Sequence, residues 1–275
     1  MRYLCFLPLF FFVRPCLSQI HSSRPAGYAG VGAYSLDFTD VFSFTANPAS
    51  LSHIKSTTIG LYSERRYMLN ELKRFSTAIS FPLPRAGAGI TADYFGFAGY
   101  NESHGGIAYG KALGQKIDLG VQFNYYRISM AGYGSAGAMN FELGTIIHLS
   151  DKLYGGLHIY NPVGGKFGNN AGEKLASMYS FGTGYEASEK LFFSAVLVKE
   201  ENQPVNVNVS MQYAFVKQIF IRGGLSSASA SYFAGAGVSW KNYRLDVAAD
   251  WHPQAGLTPC MLLIFTFNDS KSDQE

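Results

Sequence analysis

The sequence predicts an all-β protein: a transmembrane antiparallel up-and-down β-barrel of about 14 strands. Three observations support this: long segments of alternating polarity, connections whose lengths alternate along the chain, and an aromatic, charge-poor composition without a hydrophobic helix. Among 275 residues there are 22 Phe, 18 Tyr and 30 Gly, and only 15% of residues are charged. Outside the N terminus the longest purely apolar run is Cys260 to Phe265, far short of the roughly 18 residues that a spanning helix needs. A closed sheet is the other way to pair every backbone group in lipid.

Four segments show the alternation most clearly. Their apolar residues occupy every second position within residues 117–125, 139–149, 205–215 and 243–251. Because successive side chains of a strand point to opposite faces, each segment has one apolar and one polar face. The segments run to roughly ten residues or more, which is the length that a tilted strand needs to cross a bilayer.

The whole pattern, read along the chain, gives the fourteen strands and their connections. The strands lie near residues 56–69, 72–83, 86–100, 104–113, 117–130, 138–150, 153–163, 176–187, 191–200, 204–216, 219–227, 230–241, 243–252 and 259–267. Connections after every second strand are tight, whereas the intervening ones, notably residues 131–137, 164–176 and 253–259, are longer and rich in Gly, Asn or Ser. Outer-membrane barrels have short periplasmic turns and longer external loops. A soluble sandwich would share the alternation but not this sorting, so we predict an outer-membrane protein in contact with lipid.

Aromatic residues near the segment ends are expected to form a girdle at the membrane interface. They are Tyr62, Tyr67, Tyr94, Tyr185, Tyr243 and Trp251.

The first residues carry the marks of a cleaved signal peptide, predicted over residues 1–18. Arg2 supplies a positive charge, an apolar stretch follows, and Cys16-Leu17-Ser18 offers small residues for cleavage. Without Arg2 and Arg14 the 22 basic residues fall to 20, against 19 acidic ones. A net charge near +1 gives no reason to expect a nucleic-acid partner. Cys260 is then left without a second cysteine for a disulfide or a cysteine-based metal site.

The remaining chain is predicted to comprise a plug-like N-terminal segment at 19–54, the barrel at 55–267 and a disordered periplasmic tail at 268–275. The N-terminal segment does not alternate; it contains a glycine cluster and the string DVFSFTANPASL. A barrel of this size leaves a lumen that protein or water must fill. A compact Gly-rich segment with a turn at Asn47-Pro48 can fill it. Alternatively, Asn47-Pro48 caps a short helix that leads into the first strand.

The same string resembles the start of barrels in the long-chain fatty-acid transporter (FadL) superfamily. It is closest to the PorV/PorQ-like members associated with type IX secretion in Bacteroidota. The matching residues are Asp40, Asn47, Pro48, Ala49 and Leu51. The resemblance implies a fourteen-stranded barrel with the N-terminal segment inside it as a plug. It also implies a role in type IX secretion or surface display of partner proteins, or alternatively a passive channel for hydrophobic small molecules.

Polar residues predicted to face the lumen carry both signs of charge, so we expect them to pair with one another or to orient the plug. They are Arg74, Asp93, Asp118, Glu142, His148, Glu186, Arg222, Arg244, Asp246 and Asp250. Selectivity in transport is the alternative interpretation of the same set.

The two functional hypotheses make different demands on the wall. A conduit needs an apolar pocket that is continuous with a gap, and the Gly-rich segments 86–99 and 230–237 are candidates for the kink that would open one. Continuous strand ladders around a salt-bridged lumen count against a conduit.

We predict no enzymatic activity, cofactor or metal. The glycine cluster at 27–32 lacks the strand, helix and lysine of a nucleotide loop. A remote alternative is an outer-leaflet hydrolase in which Asp250 and His252 approach Ser226 or Ser227.

Two histidines are candidate metal ligands. His148 and His158 lie on adjacent predicted strands, but two imidazoles without a third ligand favour a hydrated lumen network.

Overall fold

The computed structural model describes residues 28–165 and 175–267. The predicted signal peptide and tail lie outside these residues, as does the start of the N-terminal segment. The described chain forms a closed antiparallel barrel of fourteen strands, with β1 paired to β14, which confirms the predicted fold class. The strands are β1 (Thr58–Arg65), β2 (Lys73–Leu83), β3 (Ala86–Phe97), β4 (Tyr100–Leu113), β5 (Ile117–Met130), β6 (Gly134–His148), β7 (Leu153–Tyr160), β8 (Met178–Ser188), β9 (Leu191–Glu200), β10 (Asn206–Val216), β11 (Ile219–Ser226), β12 (Ser231–Trp240), β13 (Tyr243–His252) and β14 (Gly256–Thr266).

The alternating residues sort between lipid and lumen as the pattern predicts. Phe123 and Met139 are 65% and 73% exposed on the outer face, whereas Asp118 and Glu142 on the same strands are buried. The closed ring pairs the backbone groups of each strand on both sides, and its outer face is apolar, as a membrane requires. Tyr62 is an exception to the predicted aromatic girdle: it is buried and its hydroxyl donates a hydrogen bond to Glu64, because both side chains share the inner face of β1.

The connections distinguish the two ends of the barrel. Those after even-numbered strands all have two to four residues, whereas those after odd-numbered strands range from two to 17, the long ones following β1, β7 and β9. β1 begins and β14 ends on the side of the uniformly short turns. This short-turn end faces the periplasm in outer-membrane barrels. Two predicted external loops are shorter than expected, because the ladders continue to Gly134 and Gly256, which pair with Met130 and His252.

Residues 28–54, hereafter the N-terminal segment, cross the lumen. The segment contains short 3₁₀ helices at Val31–Tyr34, Ser43–Thr45 and Pro48–His53. The first contacts β7–β10 and the third contacts β2–β6, on the other side of the ring. Most of the segment is buried. It therefore lies between opposite walls of the barrel.

No helix within the described ranges is long and apolar enough to span a membrane.

Candidate functional site in the barrel lumen

Glycines of the wall allow the N-terminal segment to approach the strand backbones closely. A methyl group at Gly120 would collide with the backbone of Pro48 and Ala49, and one at Gly144 would collide with the side chain of Asn47. Similar collisions with this segment would follow at Gly60, Gly87, Gly89, Gly110, Gly182 and Gly184. The N-terminal segment thus occupies space that side chains would fill if these wall positions were not glycine.

The predicted motif residues anchor the segment to the wall. Asn47, which is fully buried, accepts a hydrogen bond from Ala49 N at 3.1 Å and so caps the Pro48–His53 helix. Its Nδ2 donates to the carbonyl oxygen of Thr145 at 3.1 Å. Leu51 is fully buried in an apolar cluster with residues of β1, β2 and β4. The motif thus combines a helix cap with attachment to the strands.

A buried cluster of charges fixes the segment from the other side. Arg222 donates from Nη2 to Asp40 Oδ2 at 3.0 Å, and Arg244 Nη1 lies 3.3 Å from the same oxygen. Arg244 also donates to both carboxylate oxygens of Asp246, at 2.9 and 2.5 Å. Burial opposes ionisation of Asp40, but Arg222 and Arg244 outweigh it and hold the pKa of this carboxyl below its usual range. The cluster contains two positive and two negative side chains.

Tyr28 covers this cluster. The Arg222 guanidinium lies over its ring, 5.3 Å from the centroid, and burial raises the pKa of the phenol.

Glu186 binds a turn of the segment rather than a charged partner. Its Oε1 accepts hydrogen bonds from Ser35 Oγ at 2.6 Å, Leu36 N at 2.8 Å and Asp37 N at 3.1 Å. The carboxylate therefore satisfies backbone donors that would otherwise be buried without partners.

A belt of hydrogen bonds crosses the inner wall from β3 to β7. His104 lies 2.7 Å from Asp93 and 2.9 Å from Asn124 Oδ1. Asn124 Nδ2 donates to Glu142 at 2.8 Å, and Glu142 lies 2.7 Å from His158 Nε2. We call Asp93, His104, Asn124, Glu142 and His158 the polar belt.

The ten predicted lumen residues all lie on the inner side, but they form separate groups rather than one network. Arg74 pairs with Glu64 at 3.4 Å. Asp118 pairs with His148 and also with His53, both at 2.7 Å. His148 and His158 therefore belong to different groups.

An outward-facing cavity of about 570 Å³ occupies the part of the lumen that the N-terminal segment and the polar belt leave open. Its floor includes Val31, Tyr34 and Ala46 of the N-terminal segment, and its walls come mainly from β8–β12. Apolar side chains such as Val198 alternate there with serines and asparagines, and Asp250 lies at the edge. A second cavity, of about 300 Å³, borders other residues of the segment at the periplasmic end. The segment thus separates two spaces.

Neither a break in the Gly-rich strands nor the hydrolase geometry forms. Both Gly-rich strands, β3 and β12, keep an uninterrupted register with their neighbours on each side. Ser226 and Ser227 donate to Asn206 at 3.1 and 3.3 Å, and β12 separates them from Asp250 and His252 on β13.

Sequence reasoning missed several residues of these groups. His53, Glu64, His104 and Asn124 were not among the predicted lumen residues. Asn124 lies between Phe123 and Tyr125 in an alternating segment, which was the available signal, whereas His104 lies between Ser103 and Gly105, where no apolar alternation marks its face. His53 lies in the irregular segment, where no periodicity indicates a direction.

Solved structures of similar fold include two toluene transporters and a FadL homologue. The toluene transporter TodX of Pseudomonas putida matches with a TM-score of 0.63 and 10% identity, over 90% of this chain and 99% of that chain. The toluene transporter TbuX of Ralstonia pickettii gives a TM-score of 0.60 at 11% identity, over 83% and 94%. A Pseudomonas aeruginosa FadL homologue gives 0.53 at 11%, over 86% and 96%. No family model and no curated protein matches the chain. The chain is an outer-membrane β-barrel with the fourteen-stranded fold of FadL-like barrels.

Proposed function

We propose that this barrel takes up a small hydrophobic molecule from outside the cell, with the outward-facing cavity as its first binding site. The cavity carries the proposal, because its volume of about 570 Å³ is that of a small-molecule pocket and apolar side chains line it. Its floor is the N-terminal segment, which acts as a plug. The transporters of similar fold, TodX and TbuX, are named for toluene.

The route of passage runs along the lumen. The Gly-rich strands have uninterrupted ladders, which count against a conduit that opens through a gap in the wall. We therefore propose that a ligand reaches the periplasmic cavity by displacing part of the N-terminal segment. The buried cluster around Asp40 opposes large displacement, so we propose that only the region near Val31 and Ala46 shifts.

Ligand binding tests the proposal. Val198→Trp fills the cavity from β9, whereas Val247→Trp places the same side chain on the lipid face of β13, where Val247 is 61% exposed. We expect saturable binding of labelled toluene by the purified protein in detergent. The affinity should fall at least about tenfold in Val198→Trp and stay unchanged in Val247→Trp, since one methylene-sized misfit alone costs roughly 1–3 kcal/mol. Equal binding by the two variants would contradict the proposal.

A second candidate function is PorV/PorQ-like support of type IX secretion or surface display by partner proteins. The observation that favours it is the N-terminal string, whose Asn47 and Leu51 are fully buried anchors, together with a continuous wall. A plug that is fixed to the wall suits a barrel that binds partner proteins without transporting a molecule itself.

A pull-down in mild detergent separates the two functions. A stoichiometric protein partner that survives Val198→Trp supports the platform, whereas a barrel that carries hydrophobic ligand and no protein supports uptake.

A further inference from the structure

Three ligand-type side chains meet at the periplasmic end of the lumen. His53 ends the last 3₁₀ helix of the N-terminal segment, Asp118 lies near the start of β5, and His148 ends β6. The Nε2 atoms of both histidines lie 2.7 Å from the same oxygen, Asp118 Oδ2. The possible ligand atoms of the three residues all lie within 4.8 Å of one another.

We propose that His53, Asp118 and His148 form a binding site for a divalent transition-metal ion such as Zn²⁺. Two imidazole nitrogens and one carboxylate oxygen are a donor set that this ion prefers, at bond lengths of about 2.0–2.2 Å. A tetrahedral ion with such bonds holds its ligand atoms about 3.3 Å apart. Each distance of 2.7 Å between an Nε2 atom and Asp118 Oδ2 therefore needs to lengthen by only about 0.6 Å, and each Nε2 must be free of its proton to bind the ion.

The surroundings suit an exchangeable ion. The Asp118 side chain is 1% exposed, whereas those of His53 and His148 are 20% and 17% exposed. The ion can therefore enter from the periplasmic end and keep a water molecule as its fourth ligand. Two ligands belong to adjacent paired strands, and His148 N also donates to the carbonyl oxygen of Lys116 at 2.8 Å. Their positions are thereby fixed by the sheet.

The other histidine–carboxylate pairs of the lumen lack these properties. His104 pairs with Asp93 and His158 with Glu142, each at 2.7 Å, but the four side chains are at most 9% exposed, so an ion would have less access to them. Convergence of two imidazoles on one oxygen distinguishes the first group. Because one of its imidazoles belongs to the N-terminal segment, the ion would fasten that segment to the wall.

Zinc titration of the full barrel tests the site. The protein is purified in detergent with a tag that contains no histidine, treated with a chelator, and titrated with Zn²⁺ against a chromophoric competitor. We expect one high-affinity Zn²⁺ per chain, and a loss of affinity of at least an order of magnitude in His53→Gln, Asp118→Asn and His148→Gln. His252→Gln, which removes a histidine at the opposite end, should bind as the wild type does. No stoichiometric uptake, or equal uptake by the first three variants, would leave only a hydrogen-bonded triad and overturn the proposal.

Protection of the N-terminal segment tests its link to the ion. We expect Zn²⁺ to raise the thermal unfolding midpoint of the wild type and to slow proteolysis of the segment, with neither effect in His53→Gln. If His53→Gln binds and responds to Zn²⁺ like the wild type, the ion does not connect the segment to the wall. X-ray absorption showing two imidazole ligands would support the assignment, and one or none would contradict it.

Discussion

Polar side chains that face the lumen behave differently in two regions, which we call the packed region and the cavity region. In the packed region, Asp40, Arg222 and most of the polar belt around Asn124 are buried and hydrogen-bonded. In the cavity region along β8–β12, residues such as Asn208 and Ser210 are only partly buried and line open space. The same alternation of polar and apolar residues therefore produces a packed, hydrogen-bonded interior in one place and the lining of an open cavity in the other. Substitutions in the packed region should therefore lower the free energy of unfolding more than substitutions in the cavity region.

The largest expected effect is on the buried charges of the packed region. Arg222→Met leaves Asp40 and Asp246 with Arg244 alone, so one buried carboxylate loses its compensation. Loss of one partner of such a group costs roughly 3–5 kcal/mol. We expect a fall of this size in the free energy of unfolding, measured by urea titration in detergent.

The double variant Arg222→Met with Asp40→Asn sharpens this prediction. It leaves a neutral pair, Arg244 with Asp246, so it should be more stable than Arg222→Met alone. A double variant that loses the sum of both single effects would show that charge balance is not the cause.

The next effect compares two asparagines that face the lumen. Asn124 accepts from or donates to His104, Gln122, Asn140 and Glu142. In Asn124→Leu, His104 and Glu142 keep Asp93 and His158 as partners, but the buried groups of Gln122 and Asn140 lose theirs at about 1–3 kcal/mol each. We therefore expect a loss of at least about 2 kcal/mol in unfolding free energy. Asn208→Leu, in the cavity region, should cost less than about 1 kcal/mol, because Asn208 is half-buried and can be replaced by water as the partner of Asn206. Equal losses of unfolding free energy in Asn124→Leu and Asn208→Leu would show that the packed and cavity regions do not differ in this way.

These two asparagines also show what the sequence can and cannot reveal. Asn124 and Asn208 each lie between apolar residues in the alternating segments 117–125 and 205–215, so alternation places both on the polar face, although neither was among the ten predicted lumen residues. Alternation fixes the face of a side chain, and turn lengths fix the direction of each strand, which is why the fourteen strands could be predicted. Burial depends on what lies across the lumen, and that is set by contacts distant in sequence. Arg222 and Asp40, for example, are 182 positions apart.

A smaller effect concerns close approach of backbones in the packed region. Gly120→Ala would place a methyl group against the backbone of Pro48 and Ala49, so the N-terminal segment must shift. Overpacking of this kind costs roughly 1–3 kcal/mol. Gly105→Ala on the adjacent strand, whose added methyl would meet its nearest neighbour at 4.0 Å, should leave the unfolding free energy unchanged or slightly raised. If proteolysis of the N-terminal segment is faster in Gly120→Ala but not in Gly105→Ala, the loss of stability comes from the contact between Gly120 and that segment.

The smallest expected effect is the response of the packed region to mild acid. The pKa of Asp40 in the folded state is lowered by Arg222 and Arg244, against the opposing effect of burial, whereas an unfolded Asp titrates near about 3.9. The stabilisation by this carboxylate is therefore fully present above pH 4 or so and is lost only as the pH falls through the lower folded value. We expect the difference in unfolding free energy between the wild type and Asp40→Asn to stay constant from about pH 8 to pH 5 and to shrink only below about pH 4. A difference that already declines near pH 6 would mean that burial, rather than the two arginines, controls the ionisation of Asp40.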